Sequence, residues 1–572
     1  MKKLILLFAF LAAPVAASAQ GVVSAADPRA AAAGTEILNA GGSATDAAIA
    51  TMLALNVVEP QSAGIGGGAF ILQYNVKTGK ITTVDGREAA PMAADDHWFY
   101  GADRQPLSHR DAVPGGRSVG VPGTLRAMAL AHQRGGKLPW ARLFAPAIKL
   151  ARDGFEVSPR LNNSLRSYAP HVDVGTRAIY YGPDGKPLAT GTRVTNPQQA
   201  DLLERVAKLG PDSFYVGPQA EKLVATVNNA ARNPSKMTVG DLASYSAKSR
   251  PVLCGMYRAY KVCSMGPSSS GGLTVLMILG QLERFDMAKL GKDNPVAWHL
   301  FAESSRLAYA DRDMYAGDPD FVQVPLAGLL SRKYLAARSA LISPDKTMAL
   351  VEAGKPVGAP KRIKGRSMEV HGTTSLSIVD KAGNVAQVTT TIESPFGSGL
   401  SVDGTMLNNE LTDFDIVPEK DGYLVANRVE GGKRPRSSMA PTIVYGPDGK
   451  VRLAIGAAGG STIIAQVAKG IVGVVDWKLS AQDAIGLGLL YAPGPMATAE
   501  KGTQLDAMIP ALQALGEKVQ SAPLGLKANA VERVKGRWTG GADPRSEGVV
   551  MDQQGHTTVI QRVGAQPNRP SE

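Results

Sequence analysis

Two alternating runs around a short loop, residues 373–380 and 384–393, constrain this chain more than any other stretch. T-T-S-L-S-I-V-D is followed by K-A-G and then N-V-A-Q-V-T-T-T-I-E, the pattern of a β-hairpin. A three-residue loop with Gly383 in the left-handed position pairs Asp380 with Asn384. That register sets Ser377 against Gln387, Ser375 against Thr389 and Thr373 against Thr391. One face then carries Thr373, Ser375, Ser377, Gln387, Thr389, Thr391 and Glu393, all polar. The other carries Thr374, Leu376, Ile378, Ala386, Val388, Thr390 and Ile392, mostly apolar. A slip of one residue would mix the two sets, so loop chemistry and side-chain alternation agree. The pattern alone predicts an amphipathic hairpin with its polar face in water.

Around this hairpin the chain alternates helix and strand signals. Asp27 can cap a helix that has Pro28 in its first turn and Gly41-Gly42 at its end. A second helix is predicted over 45–57, with others near 140–153, 198–209, 295–311, 481–490 and 505–515. The mixture indicates an α/β or α+β fold. Gly64-Ile65-Gly66-Gly67-Gly68-Ala69 loosely fits a dinucleotide-binding pattern, but it follows a helix and precedes a strand, the reverse of a phosphate-binding turn. A connection containing Lys355, Lys361, Arg362, Lys364 and Arg366, with Pro and Gly, reads as exposed and flexible. It divides the chain into a larger first part and a smaller second part.

Residues 1–19 read as a secretory signal peptide cut before Gln20: Lys2-Lys3, an apolar run too short for a membrane span, then Ala17-Ser18-Ala19. The expected product is soluble, periplasmic or secreted, with no membrane partner. Cys254 and Cys263 flank a short strand-turn-strand, compatible with a disulfide or with two buried thiols. The net charge of +12 is scattered and aromatics are sparse, which argues against nucleic-acid binding. No G-x-S-x-G elbow occurs, and the seven histidines form no H-E-x-x-H pair, so neither a conventional serine hydrolase nor a zinc enzyme is indicated.

T-T-S-L-S-I-V-D-K-A-G-N followed by T-T-T-I-E-S-P-F-G resembles the signature around the autocleavage site of the γ-glutamyltransferase family. N-V-V-E-P-Q-S-A-G-I-G-G-G-A-F, D-G-R-E-A-A-P, G-D-P-D-F, G-K-R-P-R-S-S-M-A-P-T and G-A-D-P-R-S-E-G resemble further family blocks, in family order. The resemblance implies an N-terminal nucleophile hydrolase, a four-layer αββα sandwich built from two chains of one precursor. The cut would fall between Gly372 and Thr373, giving a large subunit of 20–372 and a small catalytic subunit of 373–572 that pair with each other. It implies no cofactor and no metal. The implied donor is a γ-glutamyl compound such as glutathione, and the acceptor water, an amino acid or a peptide.

Roles follow by motif. Thr373 is the implied nucleophile, since a threonine at a new N-terminus has its own α-amino group as base. Thr391, opposite it, resembles the threonine that hydrogen-bonds the freed amine or hydroxyl. Arg87 resembles the arginine that clamps the donor α-carboxylate, with Ser437 and Ser438 completing the grip. Glu393, Glu410 and Asp413 stand where the family places amides or carboxylates for the α-ammonium; here all three are acidic. Gly459 and Gly460 resemble the oxyanion hole. Ser375 replaces a common histidine, Gln387 a common small residue, and the short Cys-free segment between Phe414 and Ser437 implies an open site. Two competing readings remain: a glutaryl-type cephalosporin acylase of the same superfamily, and a non-catalytic periplasmic solute-binding protein that never cleaves.

Overall fold

The computed structural model describes residues 21–365 and 372–558. The signal peptide, its cut before Gln20, and Arg366 lie outside the described residues. Strand β1 (Val22–Ala25) leads into helix α1 (Pro28–Asn39), where Asp27 accepts from the Arg29 N–H at 2.8 Å. Helix α2 (Ala44–Val58) opens on a capping box of Ser43 and Asp46. A hairpin of β2 (Gly68–Asn75) and β3 (Lys80–Gly86) follows, and later one of β4 (Leu253–Tyr257) and β5 (Tyr260–Ser264). Helices α3 (Gly271–Leu282) and α4 (Pro295–Tyr315) follow. The second part supplies β6 (Thr373–Val379), β7 (Val385–Thr391), β8 (Thr442–Tyr445), β9 (Val451–Ala458), α5 (Thr462–Val475), β10 (Lys527–Val534), β11 (Arg537–Ala542), β12 (Val549–Asp552) and β13 (Thr557–Thr558).

These strands build two antiparallel sheets, ordered β13-β12-β1-β6-β7-β2-β3 and β11-β10-β9-β8-β5-β4. The sheets face each other, β6 lying against β9 and β10, while α1 and α2 cover the outside of the first and α3 and α5 the outside of the second. The result is the four-layer αββα sandwich. Each sheet takes strands from both sides of residue 372, so the basic connection does not separate two independent cores.

The hairpin has the register read from sequence: Thr373 opposes Thr391, Ser375 opposes Thr389 and Ser377 opposes Gln387. Gly383 has φ +93° and the Asp380 N–H donates to the Asn384 carbonyl at 3.0 Å. The polar face, however, is not in water. It lies between the sheets, where every residue of β6 and β7 is buried. Several of its groups bond within the hairpin or to the facing sheet: the Ser377 hydroxyl donates to the Asn529 carbonyl of β10 at 3.0 Å, and that of Ser375 to the Val388 carbonyl of β7 at 3.0 Å. Gly456 on β9 makes the room, since a Cβ there would lie 2.4 Å from both Gln387 Nε2 and Ser375 Oγ. The predicted 481–490 helix stops at Gly486, and Leu490 already belongs to a short strand.

One buried ion pair crosses the layers. Lys527 on β10 donates to Glu59, which caps the C-terminus of α2, at 3.0 and 3.2 Å. Burial pushes Lys527 down to about 8 despite Glu59. Burial also acts on Glu59, but Lys527 and Arg160 overcome it and hold the carboxyl below its usual range.

Candidate active site

The N-terminal end of β6 and the C-terminal end of β7 open into a narrow cavity of about 10 Å³. The Thr373 hydroxyl donates to Thr391 Oγ1 at 3.1 Å, and the Glu393 N–H donates to the same oxygen at 2.8 Å. Backbone and neighbour therefore fix the rotamer of Thr391 and, through it, the Thr373 hydroxyl. Gly372, immediately upstream, is wedged against the next turn: a Cβ on it would lie 1.8 Å from the Glu393 carbonyl oxygen. Glu393 itself has φ +74°, a left-handed conformation costing a non-glycine residue about 1–2 kcal/mol. The strain turns the chain sharply after β7 and brings its carboxylate to the cavity wall. Asn409 holds that carboxylate from behind, donating to Glu393 Oε2 and, at 2.9 Å, to the Thr412 hydroxyl.

Arg87 follows β3, its own N–H donating to Asp85 at 3.0 Å. Every nitrogen of its guanidinium is engaged: Nε donates to the Pro435 carbonyl at 3.1 Å, one terminal nitrogen to Glu410, and the other to Asp413 and to the Arg436 carbonyl at 2.9 Å. Burial works against the charge, but Glu410, Asp413 and Glu88 more than offset it and raise the guanidinium above its ordinary value. The sequence reading gave Arg87 and the two carboxylates to opposite ends of a donor; in the structure they hold each other. The supporting 433–436 segment is itself anchored through Arg434, which donates to the Asp85 carbonyl at 2.8 Å.

Ser437 and Ser438 line the same cavity. Arg312 of α4 donates to the Ser438 hydroxyl at 2.9 Å and to that of Ser270 at 2.8 Å. Gly459 and Gly460, φ +127° and +58°, form the turn between β9 and α5, and their carbonyls accept from Thr462 and Ile463 at the start of the helix. Gly460 and Ile463 lie on the cavity wall. Nearly all the residues singled out from sequence thus converge on one cavity. Arg312 and Asn409 were missed; neither stands out in its local stretch, and the contacts of Arg312 with Ser438 and of Asn409 with Glu393 are made only on folding.

The glycines of 64–68 serve close packing: a Cβ on Gly67 would lie 2.0 Å from the Thr391 carbonyl, and one on Gly68 2.2 Å from Glu88 Oε2. The short segment after Phe414 carries an exposed hairpin, Glu419–Lys420 with Tyr423–Leu424. Beside it opens a wider pocket of about 400 Å³ lined by Phe414, Ile416, Val417 and Lys364. Cys254 and Cys263 lie elsewhere, disulfide-bonded between β4 and β5. Among the described residues no helix is long and apolar enough to cross a membrane.

Comparison with known proteins bears on this cavity. The gamma-glutamyltranspeptidase family model matches residues 30–552. A glutathione hydrolase proenzyme of Escherichia coli is 37% identical over 541 residues, 92% of this chain and 90% of that protein. The acylase ACY 1 proenzyme of a Pseudomonas species (strain SE83) is 33% identical over 545 residues, 93% of each. A crystal structure of cephalosporin acylase from Bacillus halodurans superposes with a TM-score of 0.82 at 27% identity, covering 95% of this chain and 99% of that one.

Proposed function

The chain belongs to the gamma-glutamyltranspeptidase family, and from that premise we propose that it is a proenzyme that cuts itself between Gly372 and Thr373 and then cleaves γ-glutamyl amides. The products would be a large subunit of residues 20–372 and a small one of 373–572. Before the cut the Thr373 nitrogen is an amide and cannot accept a proton. Afterwards it is an α-amine with an ordinary pKa of about 7.7–8.0, suited to take the hydroxyl proton near neutral pH. The Thr373 oxygen then attacks the donor γ-carbonyl, and Gly459-Gly460 N–H groups stabilise the oxyanion. The leaving amine takes the proton from the Thr373 ammonium as the ester forms. Water, or an amino acid or peptide, attacks that ester and restores the hydroxyl.

The ion pairs of Arg87 with Glu410 and Asp413 suggest how a zwitterionic donor enters. Its α-carboxylate replaces Glu410 or Asp413 on Arg87, and its α-ammonium takes the carboxylate so released, together with Glu393. One internal ion pair is exchanged for two to the donor, so no buried charge is left alone. Glutathione and related compounds fit this description, and the N-terminal leader supports a periplasmic or secreted enzyme.

The observation that carries the reading is a hydroxyl pair at 3.1 Å sharing one cavity with the Arg87 cluster, directly downstream of Gly372. Mass spectrometry of the purified protein should find two fragments meeting between Gly372 and Thr373. Thr373→Ala should leave an intact chain and lower the rate on a γ-glutamyl anilide at least about a thousandfold. A full-length wild-type chain that is nevertheless active would refute the proposal. The acylase likenesses favour a second reading, a glutaryl donor. Such a donor lacks the α-ammonium and leaves the displaced carboxylate unpaired, so the γ-glutamyl anilide should react faster; preference for the glutaryl anilide would favour the second reading.

A further inference from the structure

Glu88 follows Arg87 and is fully buried, yet neither of its carboxylate oxygens has a hydrogen-bond partner; the same holds for Oε2 of Glu410. Glu410 Oε1 is held by Arg87, and the nearer Glu88 oxygen stands 4.0 Å from the same guanidinium nitrogen. The two carboxyl groups lie within hydrogen-bonding reach of each other, which two carboxylates cannot use but a carboxylic acid and a carboxylate can. The backbone makes room for this: a Cβ on Gly68 would fall 2.2 Å from Glu88 Oε2, and one on Gly120 2.8 Å from its Cβ.

The groups facing the pair are few. Arg87 is the cation beside it; Asp413 and Glu393 add negative charge, and Tyr215 and Tyr245 stand behind Glu88. Burial pushes Glu88 up to about 7 against the pull of Arg87, and burial likewise raises Glu410, with Glu88 and Glu393 pushing the same way.

We infer that Glu88 and Glu410 hold one proton between them in the unliganded site and that the arriving donor ammonium expels it to solvent. Glu88 is then a positioning residue that acts through Glu410, and donor capture is linked to proton release. No covalent bond changes; the proton passes from the carboxyl pair to water as the ammonium takes its place. This rests on the γ-glutamyl reading of the site.

The test is calorimetric titration of the mature protein with L-glutamate, at about pH 6, in two buffers of different ionisation enthalpy. Wild type should release about one proton per ligand bound, and Glu88→Gln and Glu410→Gln should release almost none. In parallel, kcat/KM for a γ-glutamyl anilide should fall in wild type about tenfold per pH unit more steeply below pH 7 than in Glu88→Gln, with kcat little affected. The Thr373 amine titrates in both proteins, so the difference belongs to the pair. Wild-type binding without proton release would overturn the inference even if a variant failed to fold, as would a variant that keeps the wild-type slope. A protein that cleaves the anilide without this linkage loses only this inference; one that never cleaves it loses the functional reading as well.

Discussion

Gly372 has no space for a side chain, because the Glu393 carbonyl occupies the position a Cβ would need. Gly372→Ala must therefore shift the bond that is to be cut relative to the Thr373 hydroxyl. Overpacking of this kind costs about 1–3 kcal/mol, and where it falls on reacting atoms it slows the step about ten- to hundredfold. Processing of Gly372→Ala, followed on a denaturing gel over time, should be slower by that factor; cleavage at the wild-type rate would show that the wedge has no part in it. Glu393 makes the complementary case. Glu393→Gln keeps the strained turn and the Asn409 contact but removes the charge, so self-cleavage should persist while KM for a γ-glutamyl anilide rises. Loss of cleavage in this variant would assign Glu393 to processing instead.

At the scale of elements, the Lys527–Glu59 pair joins α2 to β10 with both partners buried. Lys527→Met leaves Glu59 with only the more distant Arg160 at 3.9 Å and should cost up to about 3 kcal/mol, measured by urea unfolding on the uncleaved Thr373→Ala background. Lys469 on α5 is a buried cation of another kind, its ammonium donating to the carbonyls of Ile485 at 2.9 Å and Leu487 at 2.6 Å. Burial pushes it down to about 7. Between that value and the ordinary lysine value of about 10.4 the unfolded chain holds the proton and the folded chain does not, so this group makes stability rise with pH across the window. Lys469→Met should flatten that rise, and a variant with the wild-type slope would contradict it. The same elements separate what was legible in the sequence from what was not. The β6–β7 hairpin announced its register because alternation and loop chemistry are local. Its burial was not announced, because water and a facing sheet present the same polar pattern to a single strand. Helices α3 and α5 are buried on nearly every side and so carry little of the periodicity that marks a surface helix. The clustering of Arg87 with Glu410 and Asp413 joins residues more than 300 positions apart, and only folding displays it.

For the molecule as a whole, the two proposed fragments interleave in both sheets. They should co-elute on gel filtration after cleavage. The Cys254–Cys263 bridge joins facing positions on adjacent strands within the first fragment, so reducing it should not separate them; two peaks under native conditions would show that the shared sheets are not enough. Strand β6 lies in the interior of the seven-stranded sheet, and its first residue is Thr373. Most chain ends fray, whereas this one would be created inside a structure that already holds it, its conformational entropy lost before the end exists. The cut would also change the order of the folding reaction. The precursor folds as one molecule, but the mature protein, once unfolded, would have to find its other half, so its lifetime would depend on the rate at which it first opens and recovery would depend on protein concentration.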